Sequence, residues 1–144
     1  MVKPIPDGYQ TVTPYLAVRG ATELVRFLQE AFGAKPRGDM MTAPDGSIRH
    51  GELLIGDSVV MVGETPDEPV QAMLHVYVED CDAVYRKALE SGAESVREPA
   101  DQFYGDRSGG VRDKWGNRWH ISTHVEDVPP DEMRRRAQEF GTPG

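Results

Sequence analysis

Cysteine is nearly absent from this sequence: its 144 residues include one, Cys81. No disulfide can form within the chain, so packing must stabilise it, and a reducing, cytoplasmic setting is the expectation. Cys81 opens a helical segment, a position that can lower a thiol pKa, but no adjacent base is visible. Positive charge is also scarce: 16 Lys and Arg stand against 24 Asp and Glu, a net charge of −8. A chain without a basic face is a poor nucleic-acid partner, because phosphates must be met by cations. The acidic balance mildly favours cationic or neutral small ligands, and it equally serves solubility. Long apolar runs are missing, so no membrane span is expected. The opening "MVKPIPDGYQ" has no apolar core of the kind a secretory signal needs. There is no glycine-rich phosphate cradle and no nucleophile-elbow signature.

What is present suits one globular domain over residues 1–144: 38% apolar residues, with 28% charged residues dispersed rather than blocked. "TVTPYLAV" (11–18) reads as a strand with Val12, Leu16 and Val18 on one face and Thr13, Tyr15 and Ala17 on the other. "ATELVRFLQEAFGA" reads as a helix, with Leu24, Val25, Leu28, Ala31 and Phe32 at helical spacing and Gly33 as its stop. "APDGS" (43–47) is a turn signal, and "IRHGELLIGDSVVMVGE" reads as two strands joined at Gly56-Asp57.

After "TPDEP" (65–69) the pattern restarts. "MLHVYVED" places Leu74, Val76 and Val78 on one face and Met73, His75 and Tyr77 on the other. "CDAVYRKALESGA" is a helix capped by Asp80 or Asp82, with Val84, Tyr85, Ala88 and Leu89 inward and Gly92 at its end. A long loop is expected next, then the stretch "DQFYGDRSGGVRDKWGNRWHISTH" (101–124). Its end alternates: Trp119 and Ile121 inward, Arg118 and His120 outward. Asp101, Asp106 and Arg107 suggest a loop held by its own ion pairs. The tail, from about Pro130 to Phe140, reads as a short helix. Met133, Ala137 and Phe140 form its stripe, Gly141 its stop, and Arg134 to Arg136 either a basic patch or a solvated face.

The halves overlay at an offset of 60 residues, with Tyr15 on His75, Val18 on Val78, Leu24 on Val84, Gly56-Asp57 on Gly116-Asn117, and Val60 on His120. This is a duplication of one supersecondary unit, over about 8–65 and 70–124.

With these elements in place, the chain resembles the vicinal oxygen chelate superfamily of glyoxalases, bleomycin-resistance proteins and extradiol dioxygenases. The resemblance rests on the double strand–helix–hairpin plan, the "VEDCDAV" junction and the "DKWGNRWHI" ending. "DGSIRHGELLIGDSVVMV", "LHVYVEDCDAV" and "DQFYGDRSGGVRD" are similar to its PhnB-like branch. The resemblance implies an α+β fold of two βαβββ modules. A cup-shaped mixed sheet would carry its helices on the outer face, and a homodimer would hold a small-molecule cavity. It also implies divalent-metal ligands on the first and last strand of each module. Carried over, these positions are Thr13 or Tyr15 with Val60, and Met73 or His75 with His120. Only His75 and His120 are ordinary metal ligands.

The candidate ligand-binding residues are His75, His120, Tyr15, Tyr77, His50, Glu52, Phe103 and Trp115. His75 and His120 are also the candidate metal pair. His120 could be a ligand, a general base or a hydrogen-bond donor; His50 and Glu52 could be extra ligands or partners of ligands. The aromatic residues serve packing or wall a flat ligand, and His124 belongs to the surface. Three functions follow: a binding protein without metal chemistry, a divalent-metal-dependent lyase, isomerase or dioxygenase, or an association domain using the tail helix. The first is the expectation. Partners are then a small molecule and a second copy, with no nucleic acid and no membrane.

Overall fold

The computed structural model describes residues 2–139. The chain divides into two compact units between Ala72 and Met73.

The first unit runs β1 (Tyr15–Val18), α1 (Ala21–Phe32), β2 (Lys35–Pro36), β3 (Met41–Thr42), β4 (Ile48–Ile55) and β5 (Ser58–Glu64). The sheet order is β1-β5-β4-β2, with β3 also on β4. β1 lies parallel to β5, and the other pairs are antiparallel. Leu24, Val25, Phe27, Leu28 and Ala31 form the buried stripe of α1, which packs on the sheet bearing Leu16, Val18, Leu53 and Val62. Burying each such side chain contributes about 1.5–3 kcal/mol. No side chain of Gly20 can cap α1. Instead the Glu64 carboxylate accepts from the backbone N–H groups of Gly20 and Ala21 at 3.0–3.1 Å, an anion at the positive end of the helix. Gly33 ends α1 at φ 66°, its N–H donating to the Gln29 carbonyl.

The first strand is shorter than expected. It begins at Tyr15, and Val12 is 79% exposed. Pro14 has no N–H to carry the ladder backwards, although its carbonyl accepts from Met61.

The second unit repeats the plan: β6 (Met73–Tyr77), α2 (Cys81–Glu90), β7 (Glu94–Asp101), β8 (Asp106–Arg112) and β9 (Arg118–His124), followed by α3 (Pro130–Glu139). The order β6-β9-β8-β7, with β6 parallel to β9, matches the first sheet strand for strand. The expected duplication and α+β class are therefore present in the topology of each unit. Asp80 is the N-cap of α2, accepting from the Ala83 N–H. Cys81 is buried, and its Sγ donates to the Ile121 carbonyl. Burial pushes its thiol pKa up, the opposite of the lowering that a helix start can give.

The long loop expected after Gly92 is a strand. β7 occupies 94–101 as a sheet edge, almost wholly exposed and with two register shifts against β8. Asp101 therefore ends β7, and Asp106 and Arg107 begin β8, leaving a loop of 102–105. Arg107 does pair with Asp101, at 3.2 Å, and also with Asp82 of α2, at 2.7 Å. Asp106 turns elsewhere. In α3 no described residue is buried. Arg135 pairs with Glu132 and Glu139, and Arg136 with Glu126 and Glu132, so these two arginines form an ion-paired face rather than a basic patch. Phe140 and Gly141 lie outside the described residues.

The turn joining β8 to β9 is built on one carboxylate. Asp113 is 4% exposed and accepts from the backbone N–H groups of Trp115 and Asn117, the Asn117 amide and the Trp119 indole N–H, at 2.9–3.2 Å. Trp119 is itself 1% exposed. Removing the acceptor strands buried donors, each costing about 1–3 kcal/mol. Asp113→Ala is therefore expected to lower stability by roughly 3 kcal/mol or more in urea unfolding. An unchanged midpoint would show that the turn holds without it.

Candidate functional site

Strand partners in register share a sheet face, so the ladder of the second unit sorts its side chains. Leu74, Trp119 and Val111 form one row on the helix side, and Val76, Ile121 and Gly109 another. The opposite, open face holds the polar rows. The central one crosses all four strands: Arg97, Gly110, His120, His75. Beside it lie Glu94, Arg112, Arg118 and Met73 on one flank, and Ala100, Ser108, Ser122 and Tyr77 on the other. Trp119 and Ile121 are buried at 1% and 0%, so strand phase projects His120 to the open side, as the alternation predicts.

His75 and His120 stand side by side with ring centroids 6.2 Å apart and planes at 14°. The Tyr77 ring lies 4.9 Å from that of His75. Burial, followed by the neighbouring Arg97, His75 and Arg118, holds the His120 imidazole below its ordinary pKa. At neutral pH it is therefore an uncharged ring that can both donate and accept. Arg97 donates to the Ser108 hydroxyl at 3.0 Å, which in turn accepts from Ser122.

Tyr77 is fixed from below. Its hydroxyl donates at 2.7 Å to Asp106, a carboxylate 3% exposed. The other Asp106 oxygen faces His124 Nδ1 at 2.9 Å, and His124 Nε2 faces Asp127 at 2.7 Å. The expected surface position of His124 is correct, since its side chain is half exposed.

The first unit brings Tyr15 and His50 together, with ring centroids 5.7 Å apart and the Tyr15 hydroxyl 3.3 Å from His50 Nδ1. Gly63 makes room for this: a Cβ there would collide with the Tyr15 hydroxyl. Glu52 shares their face, in one row with Met61 and Tyr15, but its carboxylate is engaged elsewhere. It accepts from Tyr9 and from Arg37, whose guanidinium also covers the Tyr9 ring at 4.3 Å. The carboxylate is thus committed to a local ion pair. Phe103 and Trp115 lie at opposite ends of β8, in the 102–105 loop and the 113–117 turn.

A family model described as the glyoxalase/bleomycin resistance protein/dioxygenase superfamily matches residues 10–121. The chain belongs to this superfamily. Among its relatives is an uncharacterized protein of Mycobacterium bovis, 32% identical over 143 aligned residues covering 90% of this chain and 93% of that one. An uncharacterized protein of Mycobacterium tuberculosis is 32% identical, with 84% of its length covered. Among solved structures, TioX from Micromonospora sp. ML1 is similar at TM-score 0.70 and 27% identity, over 81% of this chain and 99% of that one. A glyoxalase-related enzyme from Fulvimarina pelagi, at TM-score 0.65 and 16% identity over 85% and 94% of the two chains, shares the fold.

The superfamily's metal positions can now be compared with the ladder. In the second unit they are His75 and His120, register partners. In the first unit Tyr15 pairs with Met61, and Val60 pairs with Leu53. Val60 is therefore a core residue, 4% exposed, and Met61 is the counterpart of His120. The sequence overlay is one residue out on this strand, because β1 meets β5 in a register shifted from that of β6 on β9. Taken unit by unit, the second offers two imidazoles at these positions and the first a phenol and a thioether, which are not ordinary divalent-metal ligands. Among the described residues no group of three His, Cys, Asp or Glu side chains is placed to hold a metal ion. The superfamily's donor set does not fit this chain, and no chemistry is derived through it. Among the described residues no helix is long and apolar enough to cross a membrane.

Sequence reasoning missed Arg97, because β7 read as a loop, and Asp106, because its burial is a tertiary fact. Arg118 was legible from its alternation with His120.

With a carboxylate at each nitrogen, His124 is held above its ordinary pKa, first by Asp106 and then by Asp127. A pKa raised by folding stabilises fully below the unfolded value, about 6.5, and the gain is lost as pH rises through the folded value. Urea midpoints measured across pH should therefore fall above about pH 6.5 in the native chain, and His124→Gln should flatten that fall. A parallel fall in the variant would refute the assignment.

Proposed function

We propose that this chain is a small-molecule-binding member of the superfamily, acting by binding rather than by metal chemistry, and that its ligand sits on the open face of the second unit at the His75–His120 row. The carrying observation is the pairing of two register-matched imidazoles with the exposed ring of Tyr77 and flanking arginines, with no metal-holding group of three His, Cys, Asp or Glu among the described residues. His75, His120 and Tyr77 supply directed hydrogen bonds and a flat wall, the usual makings of an organic-ligand site. The reading extends to a homodimer, in which the open sheet faces of modules cover one another, to a cytoplasmic location, and to the PhnB-like branch on the motifs quoted above. What supports the homodimer is the exposure of Tyr15, Met73 and Tyr77, at 52%, 66% and 62%, a cost in water that pairing would remove.

A metal-dependent lyase, isomerase or dioxygenase is the second reading, favoured by the 6.2 Å approach of the two imidazole rings. One variant separates the two. If a divalent metal binds, elemental analysis finds it in purified protein and His120→Ala loses it outright. If an organic ligand binds unaided, the protein is metal-free and His120→Ala weakens the ligand by about 1–2 kcal/mol, the scale of one hydrogen bond. Folding survives in both cases, because His120 is not in the core. A stoichiometric metal would overturn the first reading. Light scattering is expected to give twice the chain mass at micromolar concentration, and a monomer there would refute the dimer.

A further inference from the structure

We propose that the ligand is an oxyanion, a small flat organic molecule whose carboxylate or phosphoryl group is held between Arg97 and His120 over Gly110. The inference rests on the reading of this face as the binding site and specifies what it binds. Arg97, Gly110 and His120 are consecutive register partners on β7, β8 and β9. Neighbouring strands lie about 4.8 Å apart, so the outer two backbones are separated by roughly 10 Å. The middle position carries no side chain. The result is a notch with a guanidinium on one wall and an imidazole on the other.

The notch is not a by-product of packing. A Cβ on Gly110 would meet nothing closer than 3.7 Å, and Gly110 has no positive φ. Neither backbone nor neighbours require glycine: an added Cβ would rest in ordinary contact with Val96 Cβ and the Trp119 and Arg97 backbone, so glycine keeps this buried middle position of the row free of a side chain between Arg97 and His120.

The charge of the face runs against that of the chain. The net charge is −8, yet Arg97, Arg112 and Arg118 share this one face with two histidines. Among the described residues Arg97 and Arg118 form no ion pair with a carboxylate. Arg112 meets Glu94 only at 3.8 Å. Asp106, the acid bonded to Tyr77, is buried and also faces His124. The Arg97 guanidinium gives one N–H to the Ser108 hydroxyl, and its remaining donors, without a carboxylate, suit an oxyanion. The near-parallel His75 and His120 rings, with Tyr77 beyond, give the body of the molecule aromatic groups to pack against.

The test uses full-length protein and three probes of one shape: benzoate, phenyl phosphate and neutral benzamide. Binding is followed by calorimetry and by the imidazole NMR signals of His75 and His120. At least one oxyanion is expected to bind about tenfold or more tightly than benzamide, a difference that charge-assisted hydrogen bonding supplies. That preference should shrink as salt rises, and the ranking of the two oxyanions tells carboxylate from phosphoryl. Arg97→Ala, an exposed change that leaves the core intact, should abolish the preference. Gly110→Val should close the notch, and Gly110→Ala, whose Cβ has room, should weaken binding with the melting temperature unchanged. Benzamide binding as tightly as both oxyanions at these histidines would overturn the proposal while leaving the binding-site reading in place. An oxyanion preference untouched by Arg97→Ala would overturn it as well. Failure of all three probes on the native protein would also overturn it, whereas a stoichiometric metal in the purified protein would count against the site reading instead.

Discussion

The Asp113 carboxylate and the four donors it gathers fix the phase of β9, and every side chain argued to matter in the second unit depends on that phase. A strand has two faces, and a slip of one residue exchanges them. The bond from the Trp119 indole to Asp113 holds the largest buried side chain of the unit inward. His120, its neighbour, is then directed outward. Because β9 sits between β6 and β8, the same constraint sets His75 and Gly110 beside His120. Among the described residues the first unit shows no such carboxylate hub at its equivalent turn, a two-residue link at Gly56-Asp57. There the register of the last strand against the first is displaced by one residue, and a core valine takes the place that the overlay assigns to a ligand position.

The legibility of the chain followed burial. Helices α1 and α2 and strands β4, β5, β6 and β9 each have one face against a core, and burial imprints a period that the sequence displays. Gly33 and Asp80 marked helix ends because a left-handed backbone and an N-cap oxygen are needed there. β7 was unreadable for the opposite reason. Exposed on both faces, "ESVREPAD" carries no alternation, and its charges and proline imitate a loop.

The site was legible only in part. His75 and His120 could be paired by phase, since alternation alone assigns a face. The commitment of Glu52 to Arg37 and Tyr9 could not be read, because residues 9, 37 and 52 are neighbours only in space. Nor could the local excess of positive charge. Net charge sums over the molecule, while a ligand meets a few square nanometres of it. The acidic total pointed toward neutral or cationic ligands, and the face that carries Arg97 and Arg118, neither ion-paired among the described residues, points the other way.

The irregularity of β7 has a consequence in the crowded cell. A sheet edge offers unpaired N–H and C=O groups to any extended chain that passes, the usual start of aggregation. Here the edge breaks register twice within eight residues, presents Glu94, Arg97, Glu98 and Asp101, and lacks an amide hydrogen at Pro99. An incoming strand would find neither a continuous ladder nor an uncharged surface. The segment that carries Arg97 to the site thereby also keeps the outermost strand of this sheet from becoming a template.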